Sequence, residues 1–416
     1  MFDSAYSPKL WPAHVKPRED ELLSSWLLRI ALSHGMTLDL FCSAFWSGNL
    51  VSGRDVDRLT DERVITLISE RTGVTAARVE QTTLSVYEGW LFEKQGHLGY
   101  TPWITSLRIY CLDRKSFGLQ FCPRCLAEDR EPYFRRRWRL AFVTLCERHH
   151  ALLLDRCPQC LVAINAAKNP LGNDGCTTVS RIMTCCYACG FDLRKGHRGS
   201  ARCQILPEVV GYQRRLLMAL QQGWIEVRPG ELVYSHLYFR VLLQMLRLLA
   251  KREKLREVVS RRSTIKMFTP VFPGNNKDIE RLSLPHRLGL LGMARYMFED
   301  WPERFISLCQ QEGIWSARFL QRFRDAPYWF WKPVREHLFR PERSPSEQEI
   351  QSAIDHITKA GGLPYKKAIS ELLGVQDAFK IRRPQELLKR VAPSQKGKLR
   401  HGGKAALRSP IRNTSA

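Results

Sequence analysis

Two tandem cysteine arrays constrain this chain more than any other feature. Cys122-Pro-Arg-Cys125 is answered downstream by Cys146-Glu-Arg-His149, and Cys157-Pro-Gln-Cys160 by Cys186-Tyr-Ala-Cys189. A two-residue gap sets both flanking side chains on one tight turn, so both reach a single tetrahedral ion about 2.3 Å from sulfur. Four protein ligands close the shell and leave no position for water or substrate, the pattern of structural and not catalytic zinc. The spacing therefore predicts two ions, one held by Cys122, Cys125, Cys146 and His149, the other by Cys157, Cys160, Cys186 and Cys189. His150 and Cys185 stand beside these sets as rivals to His149 and Cys186. Cys42, Cys111, Cys176, Cys203 and Cys309 are left without a role.

C-x-x-C clusters read as metal sites in a reducing compartment and as disulfide frameworks outside it. Met1 to Trp11 lacks a basic head followed by an apolar stretch, so no secretory signal is expected. No apolar run approaches the roughly 20 residues that span a bilayer. A cytoplasmic protein with no membrane partner is the expectation. Its 416 residues exceed one ordinary core and point to several domains. Lys and Arg outnumber Asp and Glu by 65 to 41, a net charge of +24, which favours a polyanionic partner. With nothing resembling a lipid anchor, nucleic acid is the preferred one.

Helical periodicity dominates outside the cysteine arrays, so the expected fold class is mainly α. The expected order is an N-terminal helical, helix-turn-helix-like domain over 1–117 and the tandem zinc modules over 118–205. A helical region over 206–275, a C-terminal helical domain with a helix-turn-helix outline over 280–380 and a basic tail over 381–416 follow. Glu19, Asp20 and Glu21 precede the stripe Leu22, Leu23, Trp26, Leu27 and Ile30, where acids suit the positive end of a helix; His34-Gly35 stops it. Further helices are expected from Thr37 to Trp46, Thr60 to Thr72, Ala76 to Gly89, Val209 to Gln222 and Ser235 to Ser260. Beyond a Pro- and Gly-rich linker at 261–285, they resume from His286 to Phe298, Pro302 to Gln311, Glu347 to Lys359 and Tyr365 to Leu373. Ser346 with Glu349 fits a capping box. The adjacent aromatics Tyr328, Trp329, Phe330 and Trp331 read as packing core before a base-stacking surface.

Arg135, Arg136, Arg137 and Arg139, interleaved with Tyr133, Phe134 and Trp138, admit two readings. They form a phosphate-binding and stacking surface, or they pair with Glu128 and Asp129 while Phe134 and Trp138 pack beside the metal. Lys366 and Lys367 in the last helical pair, and Arg382 and Arg383 at the start of the tail, are further nucleic-acid candidates. No phosphate loop, nucleophile elbow, zinc-protease or deaminase motif is present, so the chain reads as a binder and not an enzyme.

The segment from Gln120 to Asp129, then Pro132-Tyr-Phe-Arg135, Trp138-Arg-Leu140 and the two following pairs, closely resembles the TniQ/TnsD family. Glu19 to Ala31 is similar to that family's opening helix, and Trp301-Pro302 with Pro327 to Trp331 to its downstream segments. The resemblance implies a bacterial, non-catalytic target-selection subunit of a Tn7-like transposon carrying two structural Zn2+ ions. It further implies partners: target DNA or an RNA-guided CRISPR effector complex, an AAA+ regulator that brings in the transposase, and, in some members, a second copy of the chain. A stand-alone zinc-dependent DNA-binding regulator is the alternative reading, carried by the C-terminal helical pair and tail.

Overall fold

The computed structural model describes residues 10–46, 51, 54–94, 100–107, 109–110, 113–114, 116–169, 179–196, 207–263, 278–320, 323, 325–339, 345–375, 377–379 and 385–391. They fall into two compact units, Met1–Phe339 and Arg340–Ala416. The boundary lies inside the 280–380 segment that periodicity alone keeps together. Among the described residues the architecture is mainly helical with short hairpins, and no helix is long and apolar enough to cross a membrane.

The first unit opens with α1 (Leu23–Ser33), α2 (Leu38–Phe45), α3 (Glu62–Thr72) and α4 (Ala76–Glu80). Thr37, Asp61 and Thr75 cap the last three, each side chain accepting a backbone N–H of the first turn. α1 buries Leu23, Trp26, Leu27 and Ile30 and stops before Gly35, whose φ of 70° suits a residue without Cβ. The acids before α1 do not serve its dipole, because none lies in the first turn. Glu21 is instead buried against Arg29 at 2.8 Å, and Asp20 meets Arg137 at 2.5 Å. An ion pair in a dry setting outweighs the weaker attraction of a helix end.

The paired strands β1 (Ile109–Tyr110) and β2 (Asp113–Arg114) precede the cysteine region, which holds α5 (Pro123–Glu128) and α6 (Val179–Thr184). α7 (Pro207–Gln222) then leads into an antiparallel hairpin, β3 (Trp224–Arg228) and β4 (Glu231–Tyr234), in register Ile225 to Val233. The expected single helix over Ser235 to Ser260 is two, α8 (Ser235–Lys251) and α9 (Glu253–Arg262), broken at Arg252. Arg256 folds back to donate to Leu249 O and Ala250 O, satisfying carbonyls that a continuous helix would have bonded internally. α10 (Leu284–Phe298), α11 (Glu303–Gln311), α12 (Ala317–Leu320) and α13 (Tyr328–His337) complete the unit. Of the aromatic quartet, Trp329 and Phe330 pack with Trp301, while Tyr328 is exposed.

One hydrophobic cluster runs from Trp11 to Leu338 and includes the N-terminal helices, the cysteine region and the later helices. Buried polar side chains fasten these segments. Arg139, 0% exposed, donates to Asp55 at 2.6 Å, to Asp57 at 3.2 Å and to Thr105 O at 2.8 Å. Asp57 in turn accepts from Ser24 N at 2.7 Å and Ser24 Oγ at 2.8 Å. From α7, Gln213 accepts the N–H groups of Thr144 and Leu145 and donates to Leu145 O. From α10, buried Arg287 donates to Ala141 O and to Gln120 Oε1, and burial lowers its pKa to about 10.

In the second unit, α14 (Glu347–Lys359), α15 (Lys366–Leu372) and α16 (Gln385–Arg390) pack around Ile350, Ile354, Ile369 and Phe379. The capping box is present: Ser346 Oγ accepts Glu349 N, and Glu349 Oε2 accepts Ser346 N. Most of the linker at 261–285 and of the basic tail lies outside the described residues.

Replacing Arg139 with Met would remove the cation that bridges Asp55 and Asp57. Removing one partner of such a buried set costs about 3–5 kcal/mol. Urea denaturation of the full chain should show that loss, and a cost below 1 kcal/mol would refute the role given to this network.

Candidate metal centre

The described residues bring together two groups of metal-ligating side chains, Cys122, Cys125, Cys146 and His149, and Cys157, Cys160, Cys186 and Cys189. Within each group the ligand atoms lie within 4.8 Å of one another. Local backbone geometry explains the convergence. Cys122 is the N-cap of α5, Pro123 occupies its first position, and Cys125 follows one turn on. The other three half-sites share one turn: His150 N, Leu161 N and Gly190 N donate to Cys146 O, Cys157 O and Cys186 O at 2.8, 2.9 and 2.9 Å. The first cysteine of each closes the hairpin by donating to Ala151 O, Val162 O or Phe191 O. Each turn needs a left-handed residue after its second ligand, and His150, Leu161 and Gly190 take φ of 48°, 61° and 69°.

The spacing fits a tetrahedral ion. Cys125 and Cys146 Sγ are 3.5 Å apart, Cys157 and Cys189 3.6 Å, and Cys160 and Cys186 3.5 Å. His149 Nδ1 sits 3.3, 3.4 and 3.4 Å from the sulfurs of Cys122, Cys125 and Cys146. Tetrahedral edges around zinc are about 3.8 Å between sulfurs and about 3.6 Å between nitrogen and sulfur, whereas a disulfide would require about 2.05 Å. Each cluster could thus hold one metal ion. Hydrogen bonds from Cys122 and then Cys125 hold the Cys146 thiol well below its ordinary value, while those to Cys122 and Cys146 push Cys125 far above. Sulfurs this close cannot all ionise against one another unless a bound cation supplies the missing charge.

The rivals are set apart. His150 is exposed and outside the first cluster, and Cys185 is outside the second, its carbonyl accepting from Asn169 Nδ2 at 2.9 Å. Cys42 and Cys309 are buried free thiols, and Cys111, Cys176 and Cys203 lie outside the described residues.

The arginine run turns inward. Arg135 makes a two-point pair with Asp129 at 3.0 and 2.7 Å and lies over Tyr133 and Trp138. Arg136 lies 3.5 Å from Asp20 and over Tyr87, and Arg137 joins Asp20 to Glu147. Arg139 is wholly buried, so it has no surface to offer a phosphate. Of the two sequence readings, the pairing holds for Asp129, but Glu128 serves Arg148 and His149 instead. Lys366 and Lys367 are exposed at the start of α15, with Glu371 3.8 Å from Lys367. Arg382 and Arg383 lie outside the described residues. Sequence reasoning missed Glu128 as a partner of His149, and Asp20, Asp55 and Asp57 as partners of the arginines. Their sequence separations carry no signal.

The TniQ family model matches residues 12–153. This segment is a TniQ domain. No curated protein matches the chain. The TniQ domain runs from Pro12, ahead of α1, through the first metal cluster, so it includes the Arg139 network and all four ligands of that cluster. The second cluster lies C-terminal to it. Proteins of this family work with the transposition machinery, in target selection.

Cys125→Ser and Cys160→Ser should each release one metal per chain and loosen the fold around that site, because metal-binding and folding free energies are shared in such sites. Metal content and thermal melting of the purified variants check this; two retained ions with native melting would overturn the ligand sets. Leu161, 61% exposed at positive φ, tests the turn geometry. Leu161→Gly should raise stability by up to about 1 kcal/mol, since a left-handed non-glycine residue costs roughly 1–2 kcal/mol and glycine returns part of that as chain entropy. A lower melting temperature in that variant would contradict the turn described.

Proposed function

We propose that this protein is a non-catalytic target-selection adaptor of a Tn7-like transposon, acting in the bacterial cytoplasm with two structural Zn2+ ions. The single observation that carries this reading is the TniQ match over residues 12–153, spanning the N-terminal helices and the first metal cluster. Zinc is favoured because thiolate and imidazole donors at tetrahedral spacing suit a soft four-coordinate ion and not magnesium or calcium. Closed donor sets give the ions a structural task and the chain a binding task. On one side the adaptor engages target DNA or an RNA-guided CRISPR effector complex; on the other it engages the AAA+ regulator that brings in the transposase.

The net charge of +24 supports a nucleic-acid partner. With Arg135, Arg136, Arg137 and Arg139 committed to carboxylates, the second unit is the better nucleic-acid surface. Its α15 starts with exposed Lys366 and Lys367, and the start of the second helix is where a helix-turn-helix meets DNA. This feature also favours the alternative of a stand-alone zinc-dependent DNA-binding regulator. Arg382 and Arg383 follow these lysines in sequence and are further candidates for phosphate contact.

Binding of the zinc-loaded full chain to specific and random duplexes, titrated in salt, tests the reading together with capture of the AAA+ regulator. Lys366→Glu with Lys367→Glu should lower the slope of log affinity against log salt by roughly 2 while leaving regulator capture intact. Failure to associate with DNA, a guide complex and the regulator alike would overturn the adaptor reading. DNA binding without regulator capture would favour the stand-alone regulator.

A further inference from the structure

His149 contributes to the first cluster through Nδ1, and its other ring nitrogen is not free. Nε2 lies 3.0 Å from Glu128 Oε1. The second oxygen of that carboxylate is held by Arg148 at 2.8 Å. Glu128 is the last residue of α5, the same short helix that carries Cys125 and has Cys122 as its N-cap. This six-residue helix and its N-cap therefore present two sulfurs to the cluster and a carboxylate to the back of the opposing imidazole.

We propose that Glu128 is the positioning residue that makes His149 a metal ligand through Nδ1. The inference rests on the reading of the first cluster as a metal site. A neutral imidazole carries one N–H, and a nitrogen that coordinates must be bare. An ionised carboxylate only accepts, so Glu128 requires the proton on Nε2 and leaves the Nδ1 lone pair facing the three sulfurs. With the opposite tautomer, an N–H would point into the thiolate group and the fourth ligand would be lost. The hydrogen bond also fixes the ring torsion, which His149 needs because its half-site is a tight turn with a left-handed residue immediately after the ligand. The second cluster, built of cysteines alone, has no such requirement and serves as an internal control in the same chain.

Zinc-loaded full-length protein is titrated with a competing chelator, comparing the parent with Glu128→Gln, Glu128→Ala and Glu128→Lys. Glu128 is 42% exposed, so these substitutions leave the core intact. Two ions per chain are expected in the parent. Loss of such a supporting partner weakens metal affinity by about 10–100-fold, and that loss is expected for one ion of the two in Glu128→Ala and Glu128→Lys. Glu128→Gln, whose amide oxygen can still accept the Nε2 proton, should restore most of it. With cobalt in place of zinc, the visible absorption of the weakened site should change in Glu128→Ala and return in Glu128→Gln. If the alanine and lysine variants hold both ions as tightly as the parent, the positioning role is wrong and the metal reading survives. If the parent holds no ion at the first cluster, both fall together.

Discussion

The guanidinium of Arg139 lies where the N-terminal helices, the irregular segment around Thr105 and the cysteine region meet, wholly removed from solvent between Asp55 and Asp57. A buried charge is tolerated only when its counter-charges and hydrogen bonds are in place. Satisfying Arg139 therefore requires three distant stretches of chain to arrive together. Ser24, at the start of α1, completes the set by donating twice to Asp57. The carboxylate pair is itself held apart from mutual repulsion by the cation, so neither half is stable without the other. The first metal cluster hangs on this arrangement, because Trp138 O, next to Arg139, accepts from Gln120, two residues before Cys122.

A second layer of ties extends the arrangement to the later helices. Gln213 fills the backbone donors and acceptor of Thr144 and Leu145, just before Cys146. Arg287 reaches Ala141 O and Gln120 Oε1 without a carboxylate in hydrogen-bond contact, which is why burial lowers its pKa. These side chains do for an irregular region what ladders do for a sheet: they satisfy backbone groups that have no secondary structure to join. The two ligand clusters and these buried polar contacts lie in the same segment, one that is poor in regular elements.

The charge of this chain divides accordingly. Arg29, Arg135, Arg137 and Arg139 in the TniQ domain pair internally with Glu21, Asp129, Asp20, and Asp55 with Asp57, and so contribute to folding. The exposed Lys366 and Lys367 of the second unit stand on α15, which packs with the capped α14 around a small core of its own. A basic composition alone does not distinguish these two uses. Accessibility does, and it is a property of the folded chain.

The metal-ligand pattern was legible in the sequence because C-x-x-C and C-x-x-H are local. The turn that presents two ligands to one point is encoded within five residues, as the repeated hydrogen bonds at Cys146, Cys157 and Cys186 show. The capping box at Ser346 and the helix stop at Gly35 are local in the same sense. The β3–β4 hairpin was also local, with Pro229-Gly230 between alternating residues, yet helical neighbours on both sides masked it. What the sequence could not reveal is which arginine meets which acid. Asp57 and Arg139, or Asp20 and Arg137, are joined only by the packing of separate segments. The choice of Cys186 over Cys185, by contrast, was local, since the C-x-x-C spacing to Cys189 sets the turn in which Gly190 N donates to Cys186 O. Composition and spacing determined that the chain carries two sets of potential metal ligands and excess positive charge. Tertiary structure alone decided which charges remain at the surface, because burial and pairing are set by contacts between residues far apart in sequence.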